Sequence, residues 1–407
     1  MEYKLLSSLF YQGKEVFEET YKKRISSEAT YHFGFKINEY NGFVVITHEI
    51  LQKIEQVMTL DKKLYKCMHL VPGIALEQYT KRCLVDEIKM TNEIEGVNSS
   101  RREINEILSD KEDNSKHKRF YGLVKKYEML LQNQQIRLSS CQDIRNLYNE
   151  LALKDVVREN TINEPDGEIF RKDGVRVLGS NDRVIHEGIY PESKIIETMS
   201  EALNVLNDDS YDFLIRIAVF HYMFGYIHPF YDGNGRTSRF ISSYLLAQKL
   251  EFLVACRLSC TIKENVQSYY KAFKIANDKK NKGDLTAFVI TFLDILVKSI
   301  KGLCESLDER YQQLNYYMEI AEKIAGDDKR LLNVIYILIQ NTLFGDHGIG
   351  IQEIYDICEG NVGKTKIRNS ISILKNRGII LVTKDGKKEL YDINTSKLIE
   401  IENHIIL

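Results

Sequence analysis

The sequence is short of prolines, of paired cysteines, of long apolar runs and of net charge, and each shortage excludes something. Only four prolines occur in 407 residues, at 72, 165, 191 and 229. So few helix breakers, with long stretches of 3.6-residue apolar spacing, predict a mostly helical protein. The seven cysteines (67, 83, 141, 256, 260, 304 and 358) are odd in number, scattered and free of any C-x-x-C. That argues against a disulfide framework and for a reducing, cytoplasmic setting. No window approaches 18 uninterrupted apolar residues, and the first residues lack a basic segment followed by an apolar one. Neither a membrane span nor a signal peptide is expected. Fifty-six Lys and Arg against 58 Asp and Glu leave a formal charge of −2, so only a local patch could hold a nucleic acid. What remains is ordinary globular composition, 43% hydrophobic and 28% charged, long enough for two or three domains.

Residues 1–115 read as an N-terminal helical region with an irregular start and one strand-like run at Gly42–Thr47. From Ala75 to about Glu95 the apolar positions Leu76, Tyr79, Cys83, Leu84, Ile88 and Ile94 share a helical face. Ser109–Lys118 is charged and free of apolar residues, a solvated linker. Residues 116–320 form the expected core. It opens with two helices over 119–158 and a β-hairpin over 170–191, where Lys172-Asp-Gly174 signals a turn. Amphipathic or buried helices follow at 193–206, 210–227, 236–250, 263–276 and 284–304. The last region, 325–407, shows helices at Arg330–Gln340, Ile351–Ile357 and about Lys364–Asn376, then two strands around Asp385-Gly386. That is the order of a winged helix-turn-helix. The expected fold class is mainly α: an all-helical core with a β-hairpin, plus a small C-terminal winged helix-turn-helix.

The sharpest feature is His228-Pro-Phe-Tyr-Asp232-Gly-Asn-Gly-Arg236-Thr-Ser-Arg239, between two apolar helices. Asp232-Gly233-Asn234-Gly235 reads as a tight turn opening a helix. Its glycines let successive N–H groups face one concavity, an anion nest where the helix dipole also favours negative charge. Arg236 and Arg239, three apart in the first turn, can reach the same anion. Asp232 beside a phosphate site suits Mg²⁺, which is commonly held by one or two carboxylates and substrate phosphates. His228 has the pKa range of a general base. A zinc site is not expected, because His221 and His228 have no third nitrogen ligand nearby.

These residues resemble the Fic-domain signature His-Pro-Phe-x-Asp-Gly-Asn-Gly-Arg-x-x-Arg, with all nine specified positions present. His221-Tyr-Met-Phe-Gly-Tyr-Ile227 and Tyr269–Asn277 are also similar to the family, and the resemblance spans roughly residues 75–300. It implies a protein adenylyltransferase that moves AMP from ATP to a Ser, Thr or Tyr hydroxyl of a target protein or of itself. His228 is then the base and Asp232 the Mg²⁺ ligand. Nucleotide contacts carry over to Gly233, Asn234, Gly235, Arg236, Thr237, Ser238 and Arg239. The hairpin at 170–191 falls where the family carries a flap that pairs with the target backbone, with Leu178 and Gly179 nearest the nucleotide. Tyr269 and Asn277 match adenine-pocket positions. Thr91-Asn-Glu-Ile-Glu95-Gly96 fits the family's inhibitory pattern [S/T]-x-x-x-E-[G/N], which implies that Glu95 pairs with Arg239 and holds it away from the γ-phosphate.

Between Asn361 and Lys388 stand eight basic residues against one acidic, Asp385. Contact with DNA is one reading of this segment, and protein docking or homo-oligomerisation is the other. Gly360-Asn-Val-Gly-Lys-Thr365 falls short of a P-loop, since Cys358 stands at the first required glycine. Two alternatives to AMP transfer stay open. One is a winged-helix DNA-binding regulator with the core as a nucleotide-dependent switch, and the other is removal of AMP.

Overall fold

The computed structural model describes residues 3–110, 114–132, 134–178, 184–358, 362–386 and 388–406. It is mainly α, with three small two-stranded sheets. Helices α1 (Leu6–Phe10) and α2 (Lys14–Ile25) lead into an antiparallel pair, β1 (Thr30–Ile37) and β2 (Tyr40–Val45). The irregular start expected there is therefore corrected. Phe33, Phe35 and Ile37 are buried and alternate with exposed Gly34 and Lys36, a period-two strand pattern. Three helices follow: α3 (His48–Leu70), α4 (Gly73–Ile94) and α5 (Arg101–Leu108), the last opened by a Ser100–Glu103 capping box. Next come α6 (Tyr121–Leu131) and α7 (Cys141–Tyr148), and α7 passes through a π turn at Asn149–Leu153 into α8 (Lys154–Glu159).

The expected hairpin is present as β3 (Arg176–Leu178) against β4 (Val184–Glu187), in the register Arg176↔Glu187 and Val177↔His186. Then run α9 (Glu192–Asn207), α10 (Phe213–Ile227), α11 (Asn234–Ala247), α12 (Phe252–Ala255), α13 (Leu258–Glu264) and α14 (Val266–Asn277). Asp212 caps α10 through the N–H groups of Leu214 and Ile215. Twelve of the fifteen α10 residues are buried, and a helix apolar all round lies at the centre of a core. On α11 the buried set includes Asn234, Arg236, Thr237, Ser238, Arg239, Ser242 and Ser243. So many buried polar groups on one helix mark a built site, because each needs a partner.

The helix expected over 284–304 is longer, α15 running from Thr286 to Ala325. Gly302 lies within it and does not end it. The remaining elements are α16 (Lys329–Phe344), α17 (Ile351–Ile357), α18 (Lys364–Asn376), β5 (Ile380–Asp385), β6 (Lys388–Ile393) and α19 (Thr395–Ile406). The sequence reading had no counterpart for α19. Strands β5 and β6 pair from Ile380↔Ile393 to Asp385↔Lys388, and Ile349 forms an isolated bridge to Tyr391. Contacts divide the chain into two compact units, Met1–Asp61 with Val85–Lys301, and Lys62–Leu84 with Gly302–Leu407. Among the described residues, no helix is long and apolar enough to cross a membrane.

Candidate active site

Helix α10 ends at His228, which adopts φ 53° and ψ 61° while its N–H bonds to Phe224 O at 3.0 Å. A left-handed non-glycine residue persists only where its surroundings hold it. Arg171 supplies that hold. Its guanidinium is fully buried and capped by carbonyl oxygens: Nε donates to His228 O at 2.9 Å, Nη2 to Ile189 O at 2.9 Å and to Ile227 O at 3.4 Å, and Nη1 to Asp173 O. One side chain thus ties both edges of the hairpin base to the backbone of His228. Sequence reasoning did not single out Arg171, and nothing local marks an arginine after Phe170 as buried.

The His228 ring is half-buried, with Nδ1 3.4 Å from Gly225 O. Burial pushes its pKa down to about 4, with His186 and Arg171 adding to the shift and the Gly225 carbonyl and Glu95 opposing it. The imidazole is therefore neutral near pH 7. With Nδ1 turned to the carbonyl, Nε2 is left as the proton acceptor.

The turn that follows is built tightly. Asn234 accepts from Phe230 N–H at 2.9 Å and donates to Phe230 O at 2.8 Å, closing the loop with both ends of its amide. The Asn234 side chain is thereby committed to the loop, and what it offers an anion is its backbone N–H. Gly233 stands at φ 79°, where an added Cβ would lie 3.1 Å from Tyr148 and 3.3 Å from Ala152. Tyr148 in turn stacks on Phe230 at 3.6 Å. Thr237 donates its hydroxyl to Gly233 O at 2.8 Å, and the Ser238 hydroxyl lies 3.2 Å from His221 Nδ1. Thr237 thus braces the turn, and Ser238 ties α11 to α10. His221 is enclosed by Ser242 at 2.8 Å and Tyr269 at 2.7 Å, and burial, helped by the Arg239 charge, drives its pKa down to about 3. It is a neutral core histidine.

The first N–H groups of α11 have no carbonyl within the helix to bond, and the two arginines flank them. Arg236 is 1% exposed, yet its Nε and Nη2 have no hydrogen-bond partner among the described residues. Its nearest carboxylate oxygen is Asp232 Oδ1, 3.8 Å from Nη2. A buried guanidinium left this open is costly without an anion. Arg239, equally buried, is satisfied: Nε donates to Thr91 Oγ1 at 2.8 Å, and Nη2 donates to Thr91 O at 2.9 Å and to Glu95 Oε1 at 2.8 Å. Gly96, at φ 75°, turns the chain just after Glu95. The Glu95 carboxylate reaches the α11 terminus itself: a Cβ on Gly235 would lie 2.1 Å from Glu95 Oε1. A carboxylate of this chain thus lies against the first turn of α11.

The open Nε and Nη2 of Arg236, the Glu95 carboxylate held against the α11 terminus and the half-buried Asp232 carboxylate beside them fit a polyphosphate with a divalent cation. Asp232 would offer its carboxylate to that cation, and no cluster of three or more His, Cys, Asp or Glu occurs among the described residues. Tyr269 and Asn277 both belong to α14. They stand eight residues, about 12 Å, apart on α14. Tyr269 bonds His221, and Asn277 accepts from Tyr222 OH at 2.7 Å. Leu178 ends β3, and Gly179 lies outside the described residues.

Residues 138–246 match the Fic/DOC family. The chain is similar to the protein adenylyltransferase fic-1 of Caenorhabditis elegans, 27% identical over 170 residues, which is 38% of this chain and 29% of that one. It is also similar to the protein adenylyltransferase Fic of Drosophila persimilis, 25% identical over 197 residues, 47% of this chain and 36% of that one. The chain therefore matches about a third of the length of these curated relatives. Among solved structures, a Fic family protein from Desulfovibrio desulfuricans G20 shares the fold, with a TM-score of 0.50 at 18% identity over 86% of this chain and 97% of that one.

Proposed function

We propose that this chain, a Fic/DOC family protein distantly related to protein adenylyltransferases, transfers AMP from ATP to a protein hydroxyl and is restrained by Glu95. The observation that carries the reading is the carboxylate lodged between Arg239 and Gly235, beside a second buried arginine whose Nε and Nη2 have no hydrogen-bond partner among the described residues. Arg236, Arg239 and the first N–H groups of α11 would grip the phosphates, and Asp232 would hold Mg²⁺. That ion, when bound, would neutralise phosphate charge.

Neutral His228 would take the proton of a Ser, Thr or Tyr hydroxyl at Nε2 as that oxygen bonds to the α-phosphorus. The bond to the bridging oxygen breaks and pyrophosphate leaves with its electron pair. The protein supplies position and fixed positive charge rather than covalent chemistry. An extended segment of the target would add to the free edge of the β3–β4 hairpin, whose base Arg171 joins to His228. Glu95 would keep Arg239 from the terminal phosphate, so ATP alone would be turned over slowly.

The test is intact-protein mass after incubation with each nucleoside triphosphate and Mg²⁺. An adenylyl increment with ATP that disappears in His228→Ala supports the reading. No increment on the protein or on any added acceptor, in wild type and in Glu95→Gly alike, overturns it.

A further inference from the structure

We propose that the exposed face of α18 reads duplex DNA in the major groove, a function separate from nucleotidyl transfer and independent of it. Helix α18 buries Ile367, Ser370, Ile371 and Leu374 and leaves the rest of its surface to solvent. At 100° per residue the exposed part divides into three stripes. Along the crest run Thr365, Asn369, Ser372 and Asn376, spaced i, i+4, i+7 and i+11, all exposed and all uncharged hydrogen-bonding side chains. On one flank lie Lys364, Arg368 and Lys375, and on the other Lys366 and Arg377, also exposed.

A crest of short amides and hydroxyls between two basic rails matches the division of labour at a DNA interface. Base edges are read by Asn, Ser and Thr, and phosphates are held by Lys and Arg. The helix is about 20 Å long, and the major groove is about 12 Å wide, enough to admit it.

Two further observations favour DNA over the other readings. A face that is basic only for solubility mixes both signs, whereas no acidic residue occurs from Lys364 to Lys384. Lys366 and Arg368 have no ion-pair partner among the described residues, and the nearest neutralising contact is Lys375 to Glu389 at 3.8 Å. A protein-docking face centres on aromatic or large apolar anchors. Here the crest holds none, and Ile373, at 40% exposed, is the one large apolar side chain open on the helix. The elements around α18 agree. Helices α16 and α17 precede it, and the β5–β6 hairpin follows, with Lys384 and Lys388 exposed near its tip. That is the order in which a recognition helix and a backbone-contacting wing occur.

The experiment uses the full chain and a pool of random-sequence duplexes selected at about 50 mM salt, followed by titration of the enriched duplex and a scrambled one. Enrichment of a defined sequence is expected. Asn369→Ala should weaken the enriched duplex about 5- to 150-fold and relax the preference at one position, with the scrambled duplex unaffected. The Lys366→Gln, Arg368→Gln double variant should weaken both duplexes alike and flatten the plot of log affinity against log salt by about 2. All three positions are exposed, and circular dichroism checks that the fold is kept. No enrichment and no binding at this salt overturns the proposal. So does enrichment that none of these substitutions alters, or a change of oligomeric mass in the double variant without a change in DNA binding, which would make the face a protein interface.

Discussion

Replacing Glu95 by glycine isolates the contact on which the functional reading turns. Glu95 lies just past Ile94, the last residue of α4, so glycine there does not interrupt a helix. Its carboxylate is 2.8 Å from Arg239 Nη2 and about a quarter exposed. Arg239 keeps both of its Thr91 bonds when the carboxylate goes, but its buried guanidinium loses the carboxylate it pairs with. The stability loss should therefore be that of one charge-assisted bond to a buried arginine, about 1.5–3 kcal/mol. The effect on a bound polyphosphate is larger. A unit charge about 4 Å from another interacts with about 4 kcal/mol at an effective dielectric of 20. Halving this for the exposure leaves about 2 kcal/mol of repulsion relieved, a factor of about 30. The assay is adenylyl incorporation by intact mass over time with ATP and Mg²⁺, beside the midpoint of thermal unfolding. A rise of tens-fold with a midpoint shifted by a few degrees at most is expected. The double variant Glu95→Gly, His228→Ala should be silent. If Glu95→Gly incorporates no more than wild type on any substrate, itself included, Glu95 is not a brake.

His228→Ala should lower transfer by about 10²–10⁴-fold while ATP binding, measured by calorimetry, stays close to wild type, because the base acts on the hydroxyl and not on the phosphates. Arg171→Met should cut kcat at least tenfold with KM for ATP little changed. Arg171→Lys should recover only part of the loss, since one ammonium cannot cap carbonyls on both sides of His228. Urea unfolding against pH tests the buried groups. His221 and His228, held near 3 and 4, bind fewer protons folded than unfolded below about pH 6.5, so each removes up to about 1.4 kcal/mol of stability per pH unit as pH falls toward its folded value. Glu87, pushed up to about 7 by burial, has the opposite sign between pH 4.5 and 7. Glu87→Gln should therefore steepen the acid loss in that window, and an unchanged slope would show that Glu87 is ionised in the fold.

What was legible in the sequence was what is determined locally. The α10 run, the glycine turn and the start of α11 follow from apolar period, turn chemistry and helix phasing within some thirty residues. The boundaries of α17 and α18 follow in the same way from period and caps. The misses have identifiable causes. Strand β1 carries its signal in Phe33, Phe35 and Ile37, but a glycine and a lysine between them hide a half-buried strand. The helix expected over 284–304 is cut short in the sequence reading, because the apolar period continues past it and carries α15 to Ala325. Arg171 could not be found at all, because its role depends on carbonyls brought from 173, 189, 227 and 228 by the fold. The pairing of Glu95 with Arg239, 144 residues apart, came from resemblance to a family and not from any local physics.

The way α4 is anchored constrains how such a brake could be released. Glu87 and Thr91, four apart, share one face of the helix, and Glu95 follows four residues later, just past its end. Glu87 is fully buried and accepts from the N–H groups of Ser259, at 2.8 Å, and Cys260, at 3.4 Å. Thr91, also fully buried, grips Arg239 through both its hydroxyl and its carbonyl. Lifting the helix would strand these groups, at about 1–3 kcal/mol each. Swinging the Glu95 side chain alone breaks one charge-assisted bond, worth about 1.5–3 kcal/mol. Release by side-chain motion is therefore the cheaper path by a wide margin. It leaves Arg239 held in place by Thr91, already aimed at the α11 terminus. A nucleotide that displaces the carboxylate would meet an arginine whose orientation the protein has fixed beforehand, and the residual barrier would be the one bond to Glu95.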